Sequence, residues 1–232
     1  MNRSVPPTVV IVPGLRDHVP GHWQTILADN IADARTVPPL TNDRLSCDAQ
    51  VSALDQVLSD VSGPVVPVAH SAGVMTTVHW ARRHRRPVGG ALLAAPPDFE
   101  TPLPEGYPTL ETLAENGWKP APRTPLPFPS IVAASTNDPL ADFDRVAALA
   151  AAWGSRLENL GRVGHLNPAS GYGEWPRAEE FVRDLGRTSP HTPARDTAPV
   201  PRPLSRIDTG RARPAPAGSA LVPSPPQERP SA

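Results

Sequence analysis

Thr8-Val-Val-Ile-Val12 is a continuous β-branched run, the pattern of a strand buried on both faces of a parallel sheet. Pro13-Gly14 closes it. The next apolar residues, Trp23, Ile26, Leu27 and Ile31, share one stripe of a helix predicted over His22 to Ala32. Ala34 to Val37 reads as a short strand. Val51, Leu54, Val57, Leu58 and Val61 then recur at helical spacing over 48–61. A second continuous strand over 64–70 runs into a helix over 74–86, and Val88 to Ala95 forms another strand closed by Pro96-Pro97. Ser130 to Ser135 is a strand and Asp142 to Trp153 a helix with Val146, Leu149, Ala150 and Trp153 inward. Arg156 to Leu160 and Trp175 to Leu185 complete the series as strand and helix. Strands alternate with helices throughout. This predicts an α/β fold, a three-layer α/β/α sandwich around a mostly parallel sheet of about six strands.

Two stretches break the rhythm. Residues 98–127 are proline-rich and hold Tyr107 and Trp118, which predicts a lid-like insertion above the strand C-termini. From 187 to 232 the chain is Pro, Arg, Ser, Thr and Ala, with Leu204, Ile207, Leu221 and Val222 too scattered to build a core. A catalytic domain over 1–186 and a disordered tail over 187–232 are therefore expected. The tail's arginines make docking to an acidic protein partner the sharper alternative to a solvated extension. Proline is the compositional outlier, 33 of 232 residues, and it clusters in these two stretches.

Charge and cysteine add exclusions. A formal net charge of −1 gives no global attraction to nucleic acid or an anionic membrane. No apolar run reaches transmembrane length, and the Thr8–Val12 stretch is too short for a signal-peptide core. Cys47 is the sole cysteine, so no internal disulfide forms; this permits the cytoplasmic location expected without itself indicating it. Arg82, Arg83, Arg85 and Arg86 sit where a helix C-terminus favours cations, a plainer reading than a basic patch.

The chemistry gathers on strand ends. In Ala69-His-Ser-Ala-Gly73, Ser71 ends a strand, begins a helix and has a small residue two positions away on each side. This is the strand–turn–helix pattern of a nucleophile elbow, G-x-S-x-G, with Ala69 in place of the first glycine. Asp138 follows the strand over 130–135, and His165 follows the strand over 156–160. The order Ser, Asp, His puts a nucleophile, a carboxylate and a base on loops at one end of a parallel sheet, as acyl transfer requires. An oxyanion hole needs two backbone amides aimed at one point. Ala72 N–H, opening the helix, is the first; Leu15 N–H in the loop after the first strand is the second, with Arg16 as fallback.

Rival residues weigh less. Asp98 follows the strand after the elbow and is the runner-up acid. His22, Trp23 and His70 are expected to line the substrate pocket, not to act as base. No His, Cys, Asp or Glu cluster has metal-ligand spacing and no glycine-rich phosphate loop occurs, so no cofactor is expected.

Pro13-Gly14, Gly21-His-Trp23, Ala69-His-Ser-Ala-Gly73, Ala94-Ala-Pro-Pro97, Pro127-Phe-Pro-Ser130, Ser135-x-Asn-Asp-Pro139 and Gly164-His-x-Asn167 together resemble the small serine hydrolases of the retinoblastoma-binding protein 9 / YdeN family. The resemblance covers residues 7–185. It implies a compact α/β-hydrolase with a Ser71-Asp138-His165 triad and carboxylesterase-type activity on small acyl esters. Family elbows more often begin with Gly and carry Leu after the serine, so Ala69 and Ala72 bear on substrate fit. Thioesterase or acyltransferase chemistry would use the same triad. A fold retained for protein binding, with a vestigial site, is the alternative from another class.

Overall fold

A computed structural model of the chain describes residues 6–16 and 19–187; apart from Arg187, the predicted tail lies outside the described residues. Its elements are β1 (Thr8–Val12), α1 (Trp23–Asn30), β2 (Ala34–Thr36), α2 (Cys47–Ser59), β3 (Val65–His70), α3 (Ala72–Arg83), β4 (Ala91–Ala94), α4 (Leu110–Glu115), β5 (Ser130–Ala134), α5 (Phe143–Trp153), β6 (Arg156–Asn159) and α6 (Pro176–Arg187). The strands form one six-stranded sheet in the order β2-β1-β3-β4-β5-β6, with every pair parallel.

Both faces of this sheet are covered, and residues along each central strand divide strictly between them. Val10, Val12, Val65, Ala69 and Leu93 pack with α2, α3 and α5 on one side. Val9, Ile11, Val66, Val68 and Leu92 pack with α1 and α6 on the other. Side chains alternate across a strand, so a strand covered twice is apolar along its length, as β1 is from Val9 to Val12. The three-layer sandwich predicted from the sequence is the architecture observed.

β3 is central yet contains Pro67, which cannot donate to a ladder. Val65 C=O accepts from Gly89 N–H at 2.8 Å, so Pro67, two residues on, turns its missing donor toward the same neighbour. Regular β3–β4 pairing accordingly begins later, at Val68 opposite Leu92. The predicted strand over 88–95 is thereby shortened to Ala91–Ala94.

The chain leaves β1 toward one edge and returns at β3 to build toward the other. Loops after β1 and β3 therefore part at this switch point, opening a crevice above their C-termini. The 98–127 insertion covers that crevice only in part. Leu113 and Trp118 are fully buried in the α2–α3 side of the core. The Trp118 indole N–H donates to Leu45 C=O at 2.6 Å, and Cys47 N–H donates to Asn116 C=O at 2.9 Å. Trp118, expected in a lid, is thus a core anchor, because an indole this large is best placed where its ring is buried and its N–H finds an acceptor. Only the stretch from Pro97 to Tyr107 reaches the crevice.

Candidate active site

The chain passes from β3 into α3 through Ser71, whose backbone is at φ 56°, ψ −129°. L-residues avoid this region, and holding one there costs about 1–3 kcal/mol. Neighbours hold it: Ser71 N–H donates to Ala94 C=O at 3.0 Å, and Val74 N–H donates to Ser71 C=O at 2.9 Å. The turn is tight enough to demand glycine at 73, for a reason beyond the strand–helix approach expected. A Cβ there would lie 2.2 Å from Val12 O and 2.5 Å from Pro13 O, both main-chain atoms of β1 and its exit. Gly73→Ala should therefore destabilise the fold by about 3 kcal/mol, the upper end of ordinary overpacking. An unchanged urea midpoint for that variant would contradict the close approach.

Ser71 Oγ lies 2.9 Å from His165 Nε2. On the far side of the ring, Nδ1 lies 2.8 Å and 3.0 Å from the two Asp138 oxygens. With the Nδ1 proton donated to that carboxylate, Nε2 presents its lone pair and the serine hydroxyl donates to it. Asp138 Oδ1 is itself fixed by Leu140 N–H at 2.9 Å. The three residues singled out by order in the sequence are brought into one hydrogen-bonded line.

The loop carrying His165 is held by side chains at successive main-chain groups. Val163 N–H donates to Ser135 Oγ at 3.3 Å, Gly164 N–H to Asn137 Oδ1 at 2.9 Å, and His165 N–H to Ser170 Oγ at 3.0 Å. Ser135 Oγ in turn donates to Asn137 Oδ1 at 2.9 Å. The loops carrying Asp138 and His165 are therefore tied directly together. Leu166, next in the chain, is fully buried at φ 49°. Placement of the His165 ring rests on this network.

His70 completes the network from below. Burial first, then the neighbouring imidazoles of His165 and His22, hold its ring well below the ordinary histidine pKa. The neutral ring donates from Nε2 to His165 C=O at 2.8 Å. Its ring centroid lies 4.9 Å from that of His165 and 4.6 Å from that of His22. His22 caps α1, its Nδ1 accepting Gln24 N–H at 3.2 Å, and it lines the cleft as expected. Trp23 does not. It is buried against Trp175, with ring centroids 4.9 Å apart and planes at 85°, because the first helical turn points it beneath the cleft instead of into it. In its place Gln24, outside the apolar stripe read from the sequence, is buried at the cleft floor. Its amide donates to Val68 C=O at 2.9 Å and Val12 C=O at 3.3 Å, carbonyls of the two strands that part at the switch point.

The cleft has a volume of about 150 Å³, the size of an engineered cavity in another protein that accommodates benzene. Ser71, His70 and His165 form its polar side, and Val19, Phe99, Leu103 and Leu140 its apolar walls. Leu15 and Ala72 both border it. Ala72 is the first residue of α3, so its N–H has no intrahelical acceptor. The main chain at Gly14 approaches the nucleophile closely: a Cβ there would stand 3.0 Å from Ser71 Cβ. Arg16, beside Leu15, lies over Tyr107 with its guanidinium carbon 5.3 Å from the ring centroid.

Asp98, the rival acid, is committed elsewhere. It forms an ion pair with Arg145 and accepts from Glu100 N–H and Thr101 Oγ. Burial works to raise its carboxyl, but these partners bring it below the usual value. Burial chiefly pushes the Cys47 thiol up to about 11, which leaves it unreactive. Among the described residues no group of three or more His, Cys, Asp or Glu side chains is arranged to hold a metal. Nor is any helix among them long and apolar enough to cross a membrane.

Residues 9–184 match the serine hydrolase family, so the chain belongs to that family and is a hydrolase. Among solved structures it is similar to a YdeN-like hydrolase from Pectobacterium atrosepticum, at 27% identity and a TM-score of 0.66, over 78% of this chain and 91% of that one. The ydeN gene product of B. subtilis follows at 18% identity and a TM-score of 0.59, over 77% and 98%. Est1E from Butyrivibrio proteoclasticus shares the fold at 10% identity and a TM-score of 0.58, over 79% and 88%. No curated protein matches. The resemblance to YdeN-type hydrolases read from the sequence motifs is borne out.

Proposed function

We propose that the chain hydrolyses small acyl esters, as a carboxylesterase, through a Ser71-His165-Asp138 triad and an acyl-enzyme intermediate. The observation that carries this is the continuous line from Ser71 Oγ to His165 Nε2 at 2.9 Å and from His165 Nδ1 to Asp138 at 2.8 Å, at the wall of an open cleft. Ser71 Oγ attacks the ester carbonyl as its proton passes to His165 Nε2. The negative oxygen of the tetrahedral intermediate is received by the amides of Leu15 and Ala72, the latter favoured by the N-terminus of α3. His165 then protonates the leaving alkoxide and the acyl group stays on Ser71. Water then attacks the acyl carbon as its proton passes to His165, and His165 returns a proton to Ser71 Oγ as the acyl–Oγ bond breaks and the carboxylic acid leaves. Asp138 keeps His165 in the tautomer that accepts from Ser71 and stabilises the imidazolium formed in both halves.

Thioesters would follow the same steps with a thiolate leaving group, so parallel rates on oxygen and sulfur esters decide the leaving-group class. A fluorophosphonate probe tests the site itself, because it modifies a serine only where base and oxyanion donors are assembled. The folded wild-type chain should be labelled at Ser71 on peptide mapping, with labelling slowed by at least about 10³-fold in His165→Ala. A folded wild-type chain that takes no label would overturn the proposal and leave a fold retained for binding a partner.

A further inference from the structure

The cleft that the proposed esterase reading places around the ester carries one strongly charged side chain. No Asp, Glu or Lys lines it among the described residues, and Arg16 is its one arginine. Arg16 reaches the rim from the loop after β1, two residues beyond Gly14, whose main chain packs against Ser71. Its guanidinium carbon lies over the ring of Tyr107, a residue of the insertion, 5.3 Å from the centroid. A ring face engages the cation without accepting in the plane of its N–H donors, so those donors remain to meet a planar carboxylate. The walls beneath, Phe99, Leu103 and Leu140, are apolar and suit a short methylene chain.

Resting on that esterase reading, we propose that Arg16 is a specificity-determining residue that selects esters carrying a carboxylate remote from the scissile carbonyl, such as half-esters of short dicarboxylic acids. The apolar walls hold the methylenes, Ser71 meets the ester at one end, and Arg16 meets the carboxylate at the other. An uncharged end group of the same shape would leave the guanidinium without that partner and gain nothing from it.

The test compares pairs of matched esters on the full chain, each rate divided by that ester's alkaline hydrolysis rate. p-Nitrophenyl hemiglutarate against p-nitrophenyl 5-methylhexanoate places the carboxylate on the acyl side. 4-Carboxyphenyl butyrate against 4-acetylphenyl butyrate places it on the leaving group. For a rim arginine open to solvent, the wild type should favour the anionic member of at least one pair by about three- to tenfold in kcat/KM, and less at high salt. In Arg16→Gln the ratio should fall to about one, and in Arg16→Glu it should invert. Ratios taken within each variant cancel any general change in activity. Equal rates for both members of both pairs in the wild type, or a preference that survives Arg16→Gln, would overturn the role of Arg16 while the esterase reading stands. Failure to turn over any of the four esters, together with failure of Ser71 to take the fluorophosphonate, would sink both.

Discussion

Ser71→Ala should lower kcat/KM on a short p-nitrophenyl ester by about 10⁴- to 10⁶-fold, the range known for loss of a nucleophile that works as one unit with its base. The substitution removes the oxygen 2.9 Å from His165 Nε2 and little else. Alanine at φ 56° and ψ −129° is as strained as serine, so the elbow gains no new penalty and should stay folded. The remaining slow rate would come from the oxyanion amides and binding of the ester, without help from His165. Combining Ser71→Ala with His165→Ala should therefore cost scarcely more than Ser71→Ala alone. A purified Ser71→Ala chain retaining more than about one hundredth of wild-type activity would lie outside the range for a triad nucleophile and eliminate Ser71 from the role.

Asp138→Asn is expected to have the second largest effect, a loss of about 10⁴ in kcat. The side chains have the same shape, and the Asn carbonyl oxygen can still accept Leu140 N–H, which now bonds Oδ1 at 2.9 Å. The amide N–H₂ would then face His165 Nδ1 and force it to accept. The ring's proton moves to Nε2, where it faces the serine oxygen it should be receiving from. Geometry survives while the direction of the proton relay is reversed. Asp98→Asn is the control, since its carboxylate is tied to Arg145 of α5. It should reduce stability and change kcat by no more than a few-fold. If Asp98→Asn were instead the variant that abolished turnover, the acid would have to be reassigned.

Much of this fold was legible because burial dictated it residue by residue. A strand covered on both faces admits only apolar side chains, so β1 and β3 announced themselves. The order Ser71, Asp138, His165 then followed from which strands those residues terminate. The small positions of the elbow were legible too, although the atoms that require Gly73 belong to β1, which no local pattern reveals. Gln24 escaped because a glutamine beside an apolar stripe carries no signal of burial. It turns inward to donate its amide N–H groups to carbonyls of two strands, one of them 44 residues away. Trp118 was misplaced for a similar reason. A proline-rich stretch gives no periodicity to say which of its aromatics is buried, and the acceptor for its indole lies 73 residues upstream. The support of His165 by His70 joins positions 95 apart and depends on the ring being neutral, a property of the folded interior alone.

The insertion is fastened at Asp98 by Arg145, at Trp118 by the core and at Pro122, whose C=O accepts the Trp153 indole N–H at 2.7 Å. Between the first two fixings Phe99, Leu103 and Tyr107 border the cleft, Phe99 with its buried ring edge-on to Trp118. The foot of this rim is tied to the loop carrying Asp138, because Asp98 N–H donates to Leu140 C=O at 3.0 Å and Leu140 N–H holds Asp138, whereas the outline of the cleft is set by the three side chains. Selection can redraw the outline of the acceptable substrate through those three side chains, generation after generation, without retuning the reaction.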